Sequence, residues 1–236
     1  MPLHPLHPLL RSPRRALALA AAHPSALLLA AQLLSLLVYP AMDATRDGRV
    51  VFGAMALVVV PLTVWVVRNS RSTNWIAWAL AVPAIVLSLV SIALDPPWLV
   101  ALSSALESAL YFYAAIALIR YMLDDHRVSV DELFAAAATF TLLAWGFAYA
   151  FLVCQALYPD SFTGMVEPER PRRWIELLFL SFSTLSGTGN GDIMPIGAQA
   201  RAVVMLEQFA GVGYIAAVVG RVIGLTLNRA SISRNL

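Results

Sequence analysis

Lysine is absent from these 236 residues, and all 16 basic side chains are arginine. Charge of either sign is scarce, at 13% of residues, and the net charge of +2 is too small a surplus to attract nucleic acid. One cysteine, Cys154, excludes an internal disulfide and a cysteine-based metal centre. Of the four histidines, His4 and His7 fall in a Pro-Leu-His repeat, and that Pro-rich segment reads as a disordered basic arm. No nucleophile–base pair or metal constellation appears, so an enzyme is not indicated and no cofactor is expected. Internal repeats are also missing, which argues against a transporter built from inverted halves.

What the chain has in abundance is apolar length. Hydrophobic residues make up 60% of it, and the mean hydropathy is +0.74. Those values fit a multi-span protein embedded in a lipid bilayer. Six runs are long enough to cross ~30 Å of hydrocarbon: Ser25–Met42, Val50–Val67, Trp75–Leu94, Trp98–Leu123, Val130–Leu157 and Ala198–Leu227. The links between the first five are short. Arg14-Arg15 before Ala16–Ala22 mimics an export signal, but cleavage there would invert every later span against the arginine bias. With both termini cytoplasmic, nine arginines lie inside (Arg11, Arg14, Arg15, Arg68, Arg71, Arg120, Arg127, Arg229, Arg234) against six outside. High Ala, Leu and Arg without Lys suggests a bacterial plasma membrane.

The fourth run carries only Arg120, at its inner end. A voltage sensor needs basic residues recurring through the membrane, since ~2.3 kcal/mol is gained per charge per 100 mV. The run instead holds Ser104, Glu107 and Ser108 on one helical face. An intramembrane acid such as Glu107 is a functional candidate, against the alternative of a protonated side chain hydrogen-bonded among serines. Ser129-Val130-Asp131-Glu132 reads as a capping box. It divides the chain into a cytoplasmic arm (1–23), a four-helix transmembrane domain without voltage sensing (24–127) and a last unit (128–236). Tyr158–Arg173, with mixed charge and three prolines, reads as a solvated external loop.

Between the fifth and sixth runs lies Ser181–Pro195, Ser-Phe-Ser-Thr-Leu-Ser-Gly-Thr-Gly-Asn-Gly-Asp-Ile-Met-Pro. The apolar stretch before it, Trp174–Leu185, is too short to cross. Glycine-rich extended backbone at membrane depth is tolerated only where protein or a water-filled path surrounds it. Gly187-Thr188-Gly189-Asn190-Gly191-Asp192 resembles the filter of the tetrameric potassium-channel superfamily, Thr-Val-Gly-Tyr-Gly-Asp. Gly189 and Gly191 fit because pointing successive carbonyls at one axis needs backbone of alternating handedness.

The resemblance implies an all-α membrane protein: six transmembrane helices, a re-entrant pore helix and filter loop, and a C4 homotetramer. It implies passive flux of potassium and, with relaxed selectivity, of sodium. The alternative is a non-conducting membrane sensor or scaffold that keeps the channel fold. Ser183, Thr184 and Ser186 are expected to support the filter from behind or below. Gly211 lies 19 residues after Asp192, at the depth where the family's inner helix bends, and Gly213 adds a second soft point; close helix packing is the alternative for both. Glu207, one turn before Gly211, is expected either to line the cavity or to bond to the back of the pore helix, the latter favoured. Two departures weaken selectivity: Gly187 stands where the family has the Thr whose hydroxyl gives the innermost coordination ring, and Asn190 where a Tyr packs against the pore helix.

Overall fold

The computed structural model describes residues 23–43, 74–94, 97–124 and 130–234. The expected N-terminal arm and the run Val50–Val67 lie outside the described residues. The elements are α1 (Pro24–Asp43), α2 (Asn74–Leu94), α3 (Pro97–Asp124), α4 (Val130–Leu157), β1 (Phe162–Gly164), α5 (Trp174–Leu185), β2 (Ile193–Pro195) and α6 (Ala198–Arg234). Among the described residues three helical stretches are long and apolar enough to cross a membrane: Trp98–Leu123, Asp131–Leu157 and Ala198–Val218. Pro24–Val38, Trp75–Val90 and Trp174–Leu185 are shorter apolar helices.

The bundle is built around α4. Ala135, Ala138, Leu142, Ala144 and Ala148 on this helix are wholly buried, and small side chains let neighbouring backbones come close. At Gly146 of α4 an added Cβ would sit 3.1 Å from the Phe112 ring of α3. Ser108 of α3 donates to the Gly146 carbonyl at 2.8 Å. One apolar core joins Leu28 of α1, Ala77 of α2, Leu110 and Leu118 of α3, Leu142 of α4 and Leu178 of α5. The boundary expected near residue 128 falls among undescribed residues, and the helices on its two sides share that core.

Polar contacts set the direction of the helices. The Ser25 N–H and hydroxyl donate to the Asp131 carboxylate at 3.2 and 3.0 Å, so the first turn of α1 lies beside the first turn of α4. Arg221 of α6 pairs with Glu132 at 3.1 Å. The starts of α1 and α4 and the later part of α6 therefore share one end of the bundle. Ser129, the cap expected for α4, is outside the described residues.

One correction concerns Tyr158–Arg173. The described fold is mostly helical, as expected, but this segment is not merely a solvated loop. Its residues Phe162–Gly164 pair antiparallel with Ile193–Pro195 on the far side of the glycine loop, Phe162 opposite Pro195 and Gly164 opposite Ile193. Arg172 is only 2% exposed. Its guanidinium donates to the carbonyls of Val166, Glu167 and Arg170, which hydrate poorly once the loop folds over them. Gln155 of α4 holds the Arg172 backbone from both sides, at 3.0 and 2.7 Å.

Candidate functional site: the short helix α5 and its glycine loop

Helix α5 has 12 residues, which span about 18 Å at ~1.5 Å per residue and cannot cross the hydrocarbon. Its start is fixed by a cluster of charged groups. Glu176 accepts the Arg173 N–H at 2.6 Å and a charge-assisted bond from Arg170 at 2.7 Å. Burial pushes the Glu176 carboxyl up, but these donors outweigh it and hold the group below its ordinary value. The same bond to Glu176 raises Arg170. Trp174 then packs edge-on to Trp145 of α4 at 5.5 Å, and Leu177, Leu178 and Leu185 are buried.

The far end of α5 closes in a Schellman motif. Ser186 is the C-cap and Gly187 follows in the left-handed region, with φ of 73°. The Thr188 N–H reaches back to the Ser183 carbonyl and the Gly187 N–H to the Thr184 carbonyl, each at 3.1 Å. That is the 6→1 and 5→2 pairing of the motif, and glycine is favoured there because it lacks a Cβ to clash. Gly187 thus has a local task, which the sequence comparison presented only as a missing threonine.

The Ser183 carbonyl is crowded with donors: the Gly189 N–H at 3.3 Å, and the hydroxyls of Ser186 and Thr188, each at 3.3 Å. Ser186 and Thr188 hydroxyls also lie 3.1 Å apart. Beyond this turn Gly189 again has a positive φ, of 63°. Gly191 does not, contrary to the expectation for it. There the chain runs out toward β2, and an added Cβ would meet the Phe179 ring and Ser183 Oγ only at ordinary contact distance. Ser186 through Asp192 are all exposed on the single chain. The Asp192 carbonyl accepts the Met165 N–H at 3.2 Å, tying the loop's exit to the folded segment around β1.

Behind α5 the structure places Glu207 of α6, wholly buried, against the Ser181 hydroxyl. That hydroxyl is also 2.8 Å from the Ala144 carbonyl of α4. One turn further along both helices, Gly211 meets the backbone of Leu185, where any Cβ would collide with the carbonyl oxygen. A Cβ on Gly213 would meet nothing. Helix α6 runs unbroken through both glycines. Arg201, near its start, donates to the Pro195 carbonyl at 3.2 Å.

Glu107 is not part of this assembly. Buried in α3, it accepts from Ser88 of α2 at 2.5 Å and bonds the Tyr149 side chain of α4. Neither partner was singled out in the sequence, where a serine and a tyrosine in apolar helices carry no pattern of their own. Arg172, Gln155 and Ser181 were passed over for the same reason: each matters only through what the fold brings against it. The one readable hint was Ser181, four residues before Leu185, as Glu207 is before Gly211.

Comparison with known families gives one match, and it covers this region. Residues 137–227 fit the family model described as Ion channel, from within α4 through α5, the glycine loop and both strands into α6. No curated protein and no solved structure matches the chain. The match supports an ion-channel function in a membrane protein, for the segment that carries the glycine loop.

Proposed function

We propose that this chain forms a potassium-channel-like pore for passive flux of monovalent cations, with relaxed selectivity. The observation that carries the reading is the Ser186–Asp192 loop, hung from the end of a half-length helix and exposed on the single chain. Such backbone cannot face lipid, and a closed ring of carbonyls requires several copies of it. A C4 homotetramer supplies that ring with one loop from each chain. Gly187 to Asn190 are the ion-coordinating segment; Gly191 and Asp192 complete the filter, with Ser183, Thr184 and Ser186 behind it. The capped end of α5 leaves fewer free carbonyls facing a central cavity than an open helix end would, which weakens its pull on a cation.

Six crossings, with both termini on the cytoplasmic side of a bacterial plasma membrane, fit the common end shared by the start of α1 and the later part of α6. Only Arg120 among the basic residues lies within α3, so potential should have little influence on opening.

Flux of potassium and of sodium into liposomes holding purified protein tests the reading. With no threonine hydroxyl at Gly187 and no tyrosine at Asn190, potassium should be preferred by less than about tenfold, or ~1.4 kcal/mol. Absence of flux for either ion would favour a non-conducting sensor or scaffold.

A further inference from the structure

We propose that Glu207 carries a proton shared with Ser181, and that this neutral link between the inner helix and the pore helix is a positioning device for the filter loop. The inference rests on the conducting reading only for its functional consequence; the proton itself follows from counting hydrogens. Ser181 Oγ has a single hydrogen and faces two acceptors, the Ala144 carbonyl at 2.8 Å and a Glu207 carboxyl oxygen. If Glu207 were ionised, one of those two contacts would lack a hydrogen. If Glu207 is protonated, it donates to Ser181, Ser181 donates to Ala144, and both contacts are satisfied.

The second carboxyl oxygen points the same way. It is buried and has no partner among the described residues. A bare carbonyl-type oxygen of a neutral acid costs little beside a buried carboxylate with no counter-charge. Among the described residues no counter-charge faces it. On α6 itself the flanking titratable groups, Arg201 and Tyr214, bond the carbonyls of Pro195 and Ala136. From α5 the one acid, Glu176, is engaged by Arg170 and Arg173 at the opposite end of the helix. From α4, Glu132 pairs with Arg221, Asp131 bonds Ser25, Tyr149 bonds Glu107, and Cys154 bonds Ser161.

The position makes the link consequential. Glu207 and Gly211 are four apart on α6, and their partners Ser181 and Leu185 are four apart on α5. Two contacts in matching register fasten the last turn of the pore helix to the inner helix. Ser183 and Thr184, whose carbonyls anchor the glycine loop, lie between them. Loss of the proton would place a charge in the seam and separate the helices at the base of the filter.

The test compares the full-length protein with Glu207→Gln and Glu207→Leu from about pH 6 to about pH 9, reading cation flux, the potassium-to-sodium ratio, the thermal midpoint and the infrared carbonyl stretch of protonated carboxyl. The amide of Gln donates and does not ionise. Wild type should lose flux and midpoint as pH rises, at least about fivefold in flux over that range, while Glu207→Gln stays within about twofold. Glu207→Leu should be impaired throughout. A protonated-carboxyl band present in wild type near neutrality and missing from Glu207→Gln supports the proposal; no difference in that band overturns it. So does a Gln variant as impaired as the Leu variant. If none of the proteins conducts, the infrared and thermal readings still decide the proton, and the failure belongs to the conducting reading.

Discussion

Helices α4 and α6 both pack against α5, yet their surroundings are opposite. In α4, 72% of the apolar stretch long enough to cross a membrane is buried by the chain itself; in α6 the share is 17%. The described residues of α6 that are buried, Ala200, Val204, Glu207 and Gly211, form a single stripe along one face of the helix. Met205, Leu206, Phe209 and Val212 around them are more than half exposed, Phe209 at 81%. The glycine loop, also exposed, is the part of this surface that lipid cannot cover. One side of the molecule is thus finished by its own sequence, and the other waits for something apolar and something polar at once. On the proposed reading, further copies of the same chain meet both needs.

The stripe can be broken at one atom. Gly211→Val should abolish flux and lower the thermal midpoint sharply, because the added Cβ collides with main chain that has no rotamer to yield. Gly213→Ala, whose Cβ meets nothing, should leave both measurements unchanged. Equal damage from the two would show that bending of α6, and not its contact with Leu185, is what these glycines provide.

A paired substitution sharpens the contrast between the helices. Leu142→Ala, in the wholly buried face of α4, should cost about 2–5 kcal/mol of stability without changing the number of chains in the assembly. Phe209→Asn, on the open face of α6, should leave the single chain folded by circular dichroism but weaken association in size-exclusion runs. The reverse pattern would mean that α6 faces lipid alone.

The smallest effect concerns the outer end of α5. The Glu176 carboxyl is held below its ordinary value by Arg170 and the Arg173 N–H. The stability it adds is therefore present above the unfolded carboxyl value and is lost as pH falls through the lower folded one. Glu176→Gln should lower the stability at neutral pH by less than about 1 kcal/mol, and the gap in thermal midpoint to wild type should close on acidification.

Helix α5 and its loop were legible because their signals are local: an apolar run too short to cross, then Gly187, Gly189 and Gly191 two residues apart. The conformation of each glycine was less so. Gly187 and Gly189 have positive φ and Gly191 does not, because the helix cap and the path to β2, not the spacing, decide handedness. Three-residue strands such as Phe162–Gly164 show no periodicity to read. Arg172 looked like any other charge at a membrane mouth, and only the folded loop surrounds it with carbonyls. Glu107 was visible as an acid in an apolar run, whereas Ser88 and Tyr149 came to it from other helices.

The central claim is that the open side of α6 and the glycine loop are completed by copies of this chain. Native mass spectrometry of the detergent-solubilised fraction, with cation flux measured on the same fraction after reconstitution, tests it most directly. The account predicts that flux follows a species of four chains and is lost with its dissociation. Full flux from a stable monomer or dimer would contradict it.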